Sequence, residues 1–313
     1  MSELATSGAR LPGEAVVEQA LRKQALAVTR QGRTRWRFAL ANGRSFAVSA
    51  RLAADWLLLQ SAPFDWPAAA GLWPLLQLDA RLAGPGKVAL ASGRPRLAAE
   101  LPVEEGVDLG VRLAEACADF RRAAAILEGE TGAGEPAGSG APEVATEGPA
   151  APEPSALPRL LGEAGWSAGE RAPRRWAVDL DTPGSFHQAL VEEDAAGSVR
   201  LAAELAVTPA LGAAGLRALA WLLLEANGCV RLARAAAGEQ AASARFEVRF
   251  ASPPVAEELG HALASLSVAC RDFAREARAL ASEEVAGVYL ALRNGATEAG
   301  GKEQPATNRA RAR

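Results

Sequence analysis

Two stretches of the chain carry the same helical pattern of apolar and polar positions. In each, five apolar residues follow at steps of four, three, four and three, which places them on one stripe of a helix. The two stripes are Leu113, Cys117, Phe120, Ala124 and Leu127, and Leu266, Cys270, Phe273, Ala277 and Leu280. The repeat predicts two copies of one folding unit, each closed by this helix, over Val107–Leu127 and Val255–Leu280.

Alternating apolar and polar positions predict strands between the helices. Trp36–Leu40 and Trp176–Leu180 alternate with period two, and Asn42-Gly43 predicts a hairpin that leads into a strand containing Phe46. Phe186 is the counterpart of Phe46 in the second copy. The predicted fold class is therefore α+β: two copies of an α-β-β-β-α-β-β-α unit, each an antiparallel sheet packed by helices.

Local signals set the boundaries of several elements. The first helix is predicted over Gly13–Val28, followed by a polar connection to Trp36. In the second copy, a helix over Leu211–Ala226 is expected to stop at Asn227-Gly228, a common end signal. Strands are then expected over Cys229–Arg234 and Ala244–Phe250.

A change of composition separates the two copies. Residues 129–156 consist mainly of Gly, Ala, Pro, Glu and Ser, with five Glu and no Lys or Arg, which predicts a flexible acidic linker. The expected domains are residues 13–128 and 157–293. Residues 1–12 and the polar tail 294–313 are expected to be disordered.

Composition narrows the classes of function. The net charge is −3 and the basic residues are scattered, so no nucleic-acid partner is expected. The most apolar run, Leu211–Leu224, is interrupted by Arg217 and is too short to span a bilayer, so we expect a cytoplasmic protein without a membrane partner. Three cysteines without a close pair favour buried thiols over a disulfide or zinc framework.

Residues with catalytic chemistry are scarce. The chain has two histidines; His187 lies near Ser185 without an orienting carboxylate, and His261 lacks a second ligand one helical turn away. Gly84-Pro85-Gly86-Lys87 resembles the end of a phosphate loop, but Arg81 and Val88 break the pattern, so a helix-to-strand turn is predicted. We therefore predict no enzyme, and no catalytic, cofactor-binding or metal-binding residues.

The tryptophans distinguish the two copies. Trp36 and Trp176 alternate with polar residues and are predicted to lie in the core. Trp56, Trp66 and Trp73 cluster around the third strand and following loop of the first copy, and the second copy has none at those positions. These three residues are the predicted partner-binding candidates, because an exposed indole often marks a binding surface.

The order of elements resembles the type III secretion chaperone fold, which the bacterial YbjN-like proteins share. The resemblance rests on the two Trp…Phe meanders, on Leu75–Asp79 followed by the strands Lys87–Leu90 and Arg96–Leu101, and on the closing helix. It implies a small sheet with helices packed on it, dimer-like association and binding of extended polypeptide segments. Two departures are the tandem arrangement and a net charge less acidic than is typical of such chaperones.

Three functions remain open from the sequence. The first is a non-enzymatic protein-binding module, chaperone-like, whose two copies pair as an intramolecular pseudo-dimer and whose partner is a protein or peptide. The second is a structural or regulatory scaffold that has the same fold and no client. The third is an enzyme whose site is not recognised. An exposed apolar groove would favour the first function, and a deep polar pocket with converging titratable groups would favour the third.

Overall fold

A computed structural model describes residues 12–24, 27–42, 44–129, 155–182, 185–205, 211–238 and 243–300. We call residues 12–129 the first half and residues 155–300 the second half. The predicted linker and the chain ends before residue 12 and after residue 300 lie outside the described residues, apart from the few linker positions that border α3 and α4.

The first half is an antiparallel sheet with helices against it. Its strands are ordered β1-β2-β3-β4-β6-β5, and a short 3-10 helix, Ala68–Ala70, precedes α2. The elements in chain order are α1 (Pro12–Gln24), β1 (Val28–Gly32), β2 (Arg35–Asn42), β3 (Arg44–Ala53), β4 (Trp56–Ser61), α2 (Trp73–Ala80), β5 (Lys87–Ala91), β6 (Arg94–Pro102) and α3 (Leu109–Gly129).

The second half has a sheet with the corresponding order, β7-β8-β9-β10-β12-β11. It also has a final helix that has no counterpart among the described elements of the first half. The elements are α4 (Leu157–Glu163), β7 (Ala168–Ala172), β8 (Arg175–Leu180), β9 (His187–Glu193), β10 (Val199–Leu205), α5 (Ala213–Cys229), β11 (Arg234–Ala237), β12 (Ala244–Phe250), α6 (Ala256–Ala279) and α7 (Glu283–Gly300). The α+β class with two six-stranded antiparallel sheets is thus confirmed.

The closing helices α3 and α6 lie on their sheets as their apolar stripes predict. Cys117, Cys270 and Phe120 are almost completely buried, and so is Trp36 in the sheet. Phe273 is only half-buried, with its ring 6.3 Å from that of Phe246. Phe120 is therefore packed more completely than Phe273, although the other four residues of the second stripe are all buried.

Two predicted element boundaries are wrong. The first helix ends at Gln24, and the segment expected to continue it and then connect to Trp36 forms the strand β1. All but one residue of β1 are exposed, so this edge strand has no apolar alternation by which it could be recognised. Each half therefore has four strands before its middle helix, one more than predicted.

The second boundary lies in α5. The helix runs through Asn227 and Gly228 to Cys229, and the strand expected over Cys229–Arg234 begins only at Arg234. Instead of ending the helix, Asn227 is buried within it and makes tertiary hydrogen bonds. At the end of the chain, residues 294–300 were expected in a disordered tail but form the last part of α7.

Candidate functional site

An apolar groove of about 800 Å³ opens on the first half, between β3, the loop after β4 and the end of α3. Aromatic, proline and aliphatic side chains provide most of its lining. They are Phe46, Pro63, Phe64, Trp66, Pro67, Pro74, Leu97, Ala124 and Leu127. Asp65 and Glu128 are the acidic residues of the lining. We call this feature the apolar groove.

The structure places one of the three predicted partner-binding tryptophans in the lining of the apolar groove. Trp66 is half-buried there, and its indole N–H donates a hydrogen bond to the carbonyl oxygen of Gly71, which fixes the ring. Trp73 begins α2 next to Pro74, a groove residue, but is not itself part of the lining. The loop after β4 thus places the indole ring of Trp66 in the groove.

Trp56 instead contacts the second half. Its ring packs edge-on against His261 with 5.4 Å between centroids, and the guanidinium group of Arg231 lies 5.1 Å from its centroid. His261 also lies 3.0 Å from Glu104 of the first half. This tryptophan therefore belongs to the contact between the two halves.

The contact between the halves, which we call the junction, is organised by two buried cations at equivalent positions. Lys87 begins β5, and its Nζ donates to the carbonyl oxygens of Val230 at 2.6 Å and Ala233 at 3.2 Å, in the loop after α5. Arg234 begins β11, and it donates to the carbonyl oxygens of three residues in the loop after α2: Leu82 at 2.5 Å, Gly84 at 2.9 Å and Gly86 at 2.7 Å. Each half thus supplies a cation to backbone oxygens of the other half.

Asp79 and Asn227 meet at the centre of the junction. The Asn227 amide donates to Asp79 Oδ2 at 2.9 Å and to the carbonyl oxygen of Val88 at 2.8 Å. Within its own half, Asp79 Oδ1 accepts the Val88 N–H, and Asn227 Oδ1 accepts the Ala235 N–H in the same way. Burial raises the pKa of Asp79 well above its ordinary value, although Arg234 and the Val88 N–H lower it.

Asp119 on α3 holds the loop that receives Arg234. Its carboxylate accepts the backbone N–H groups of Ala83, Gly84 and Gly86 at 2.9 to 3.2 Å. A Cβ at position 86 would lie 2.6 Å from the Asp119 Cβ, so this close approach requires glycine there. The carbonyl oxygens of the loop are thereby held in place for the Arg234 guanidinium group.

A second ion-pair cluster connects α3 to the start of α6. Arg112 donates through Nε and Nη2 to both carboxylate oxygens of Glu258, at 2.6 and 2.8 Å, and also contacts Glu115 at 2.9 Å. It reaches the carbonyl oxygens of Ser252 and Pro253 as well. Such a buried, bidentate pair fixes orientation, because its hydrogen bonds are directional.

The sequence did not reveal these junction residues. The sequence predicts Lys87 as the end of the Gly84–Lys87 turn and the start of a strand, and the turn does connect α2 to β5. It predicts Arg234 at the end of a strand and Asn227 as a helix stop. Their partners in the other half are backbone atoms, and for Asn227 also the Asp79 carboxylate, about 140 to 150 positions away, and no local pattern encodes such contacts.

The two histidines lie in different elements, His187 in β9 and His261 in α6. His187 starts β9, and burial, together with Arg278, lowers its pKa. Within the described ranges, no group of three or more His, Cys, Asp or Glu side chains is arranged to hold a metal ion. The helices of those ranges are also too short or too polar to cross a membrane.

No protein-family profile, curated protein or solved structure matches this chain.

Proposed function

We propose that this protein is a non-enzymatic protein-binding module, in which the apolar groove binds an extended segment of a partner polypeptide. The observation that carries the proposal is the groove itself, whose lining combines Trp66 and Phe64 with several prolines. Its volume of about 800 Å³ lies in the range of ligand sites and accommodates several side chains of an extended segment. The resemblance to secretion chaperones and YbjN-like proteins suggests the same class of partner.

The charges at the groove favour particular flanks of that segment. Asp65, whose side chain is 98 % exposed, pairs with Arg94 at 2.8 Å, and Glu128 lies at the end of α3. Both carboxylates adjoin apolar lining, so a partner with basic residues beside its apolar ones suits the groove best. The proposed occupant is therefore an extended segment with alternating apolar residues and a basic flank.

We also propose that the two halves are copies of one unit that pair as an intramolecular pseudo-dimer. The corresponding strand orders and the reciprocal contacts of Lys87 and Arg234 support this. The central pair supports a tandem arrangement over two identical chains, because Asp79 accepts a hydrogen bond that Asn227 donates. Two aspartates at that place would repel each other when both are ionised.

A selection of random linear peptides displayed on phage tests the binding proposal. Selected peptides are expected to share alternating apolar residues with a basic flank. Their affinity is expected to fall at least about thirtyfold on Trp66→Ala, because truncating a central aromatic contact typically costs about 2 kcal/mol or more. Leu127→Lys, which places a charge in the lining near the end of α3, is expected to weaken binding as well.

Phe186→Ala is the matched control. Phe186 is the second-half counterpart of Phe46, is 75 % exposed and lies outside the groove, so its removal is expected to leave peptide affinity unchanged. A selection that enriches no peptide, or peptides that bind Leu127→Lys as tightly as the wild type, would contradict the proposal. The scaffold function without a client would then be preferred.

A further inference from the structure

A second cavity, of about 540 Å³, lies on the second half where Ala83 of the first half approaches it. Four arginines line it, Arg174, Arg175, Arg200 and Arg249, and we call it the arginine cleft. Three of them belong to one row across neighbouring strands. Arg175 pairs in register with Glu192, Glu192 with Arg200, and Arg200 with Arg249, so their side chains project from the same face of the sheet.

Positive charge exceeds negative charge along this row and behind it. Glu192 forms ion pairs with both Arg175 and Arg200. Glu247 is fully buried and forms ion pairs with three arginines: Arg234 at 3.0 Å, Arg245 at 2.7 Å and Arg249 at 2.9 Å. Glu204 lies opposite Arg245 in register on the same face, so these five guanidinium groups adjoin three carboxylates. Three arginines hold the pKa of Glu247 at about 2 despite its burial.

Other acidic groups nearby contact groups outside this row of arginines. At the far end of the cleft, Glu193 lies 3.5 Å from Arg174, and Asp194 accepts N–H groups of its own turn. Asp119, which interacts with Arg234 from the first half, accepts three backbone N–H groups. Burial lowers the pKa of Arg249, and neighbouring Arg234 and Arg200 lower it further, although Glu247 raises it. The end of the cleft near Arg249 is therefore cationic.

We infer that the arginine cleft binds a small multivalent oxyanion, with its phosphate or carboxylate groups held by Arg175, Arg200 and Arg249. Guanidinium groups pair with both kinds of oxyanion through parallel hydrogen bonds. The cavity volume lies in the range of small-molecule sites. This site is separate from the apolar groove and does not depend on the function proposed for it.

Calorimetric titration of the full chain with inorganic pyrophosphate and with citrate, at constant ionic strength, tests this inference. Saturable binding of either anion is expected, accompanied by a rise in melting temperature that chloride does not produce. The anion that binds more tightly shows whether the cleft prefers phosphate or carboxylate groups. Arg175→Gln is expected to weaken binding about tenfold or more, because a charged hydrogen bond is lost.

Two variants make the test specific. Arg159→Gln, on α4 and outside the cleft, removes a comparably exposed arginine and is expected to leave anion affinity unchanged. Arg200→Gln is expected to weaken binding at least as much as Arg175→Gln. Arg175 is the more exposed of the two side chains, so Arg175→Gln is the variant less expected to disturb folding. The inference would be overturned if pyrophosphate and citrate bound no more tightly than chloride does. It would also be overturned if Arg175→Gln and Arg159→Gln bound these anions with equal affinity. Tighter binding of a single-stranded oligonucleotide that Arg175→Gln abolishes would also overturn it, in favour of a nucleic-acid surface.

Discussion

Asp119 and Asp272 lie at equivalent positions of the two closing helices, but their carboxylates make different contacts. Asp119 is buried and holds the loop 83–86 through three backbone N–H groups. Asp272 is exposed and pairs with Arg271, its neighbour in sequence. The apolar stripe therefore determines which face of the helix packs on the sheet, whereas the neighbouring loops determine which contacts the polar residues of the helix make.

The same contrast extends to the outer faces of the halves. Phe46 lies half-buried in the apolar groove beside Trp66, whereas its counterpart Phe186 is 75 % exposed. In the first half, the loop after β4 supplies two aromatic residues that line this groove together with Phe46. The two halves thus resemble each other in the contacts of the junction and differ in the candidate binding surface.

The largest difference between the halves is expected for the phenylalanines of the two stripes. Phe120→Ala should lower the free energy of unfolding by about 3–5 kcal/mol, because it empties a fully buried site. Phe273→Ala should lower it by only about 1–2 kcal/mol, because Phe273 is half-buried and loses less apolar area. Urea denaturation followed by circular dichroism measures both values. Equal losses would contradict the unequal burial of the two phenylalanines.

A smaller difference is expected for the two aspartates. Asp119→Ala should destabilise the protein by about 2–3 kcal/mol, because it leaves buried N–H groups without an acceptor. Asp272→Ala should change stability by less than about 0.5 kcal/mol, as is usual for an exposed residue. Asp272→Ala is thus the matched control for Asp119→Ala, and a comparable loss for both in the same denaturation assay would show that the loop contacts are unimportant.

Much of the fold could be predicted because it depends on local periodicity. The alternation of Ala244–Phe250 gives β12 with its correct bounds, and the stripe through Cys270 gives α6 to within one residue at each end. The exposed edge strand β1 escaped prediction because neither face of it is apolar.

The candidate sites were predictable only in part. Trp66 could be proposed from its position between Asp65 and Pro67, because loop aromatics are visible in a sequence. The roles of Arg234 and Asn227 could not be predicted, because their partners are main-chain atoms and side chains of the other half. Trp56 shows the same limit, since the sequence marks an aromatic residue but not whether His261 covers it.

The contacts of the junction are expected to hold the two halves together without help from the linker. Buried cations such as Arg234 stabilise this contact, and losing one partner of a buried charged pair typically costs about 3–5 kcal/mol. The most direct measurement inserts a protease recognition sequence after Gly140, cleaves the purified full chain there and determines its mass by size-exclusion chromatography with light scattering. We expect the cleaved protein to elute as one species with the mass of the intact chain. We also expect cleaved Arg234→Ala to separate at a lower urea concentration than cleaved Arg159→Ala. Elution of the cleaved wild-type protein as two separate fragments would contradict the account.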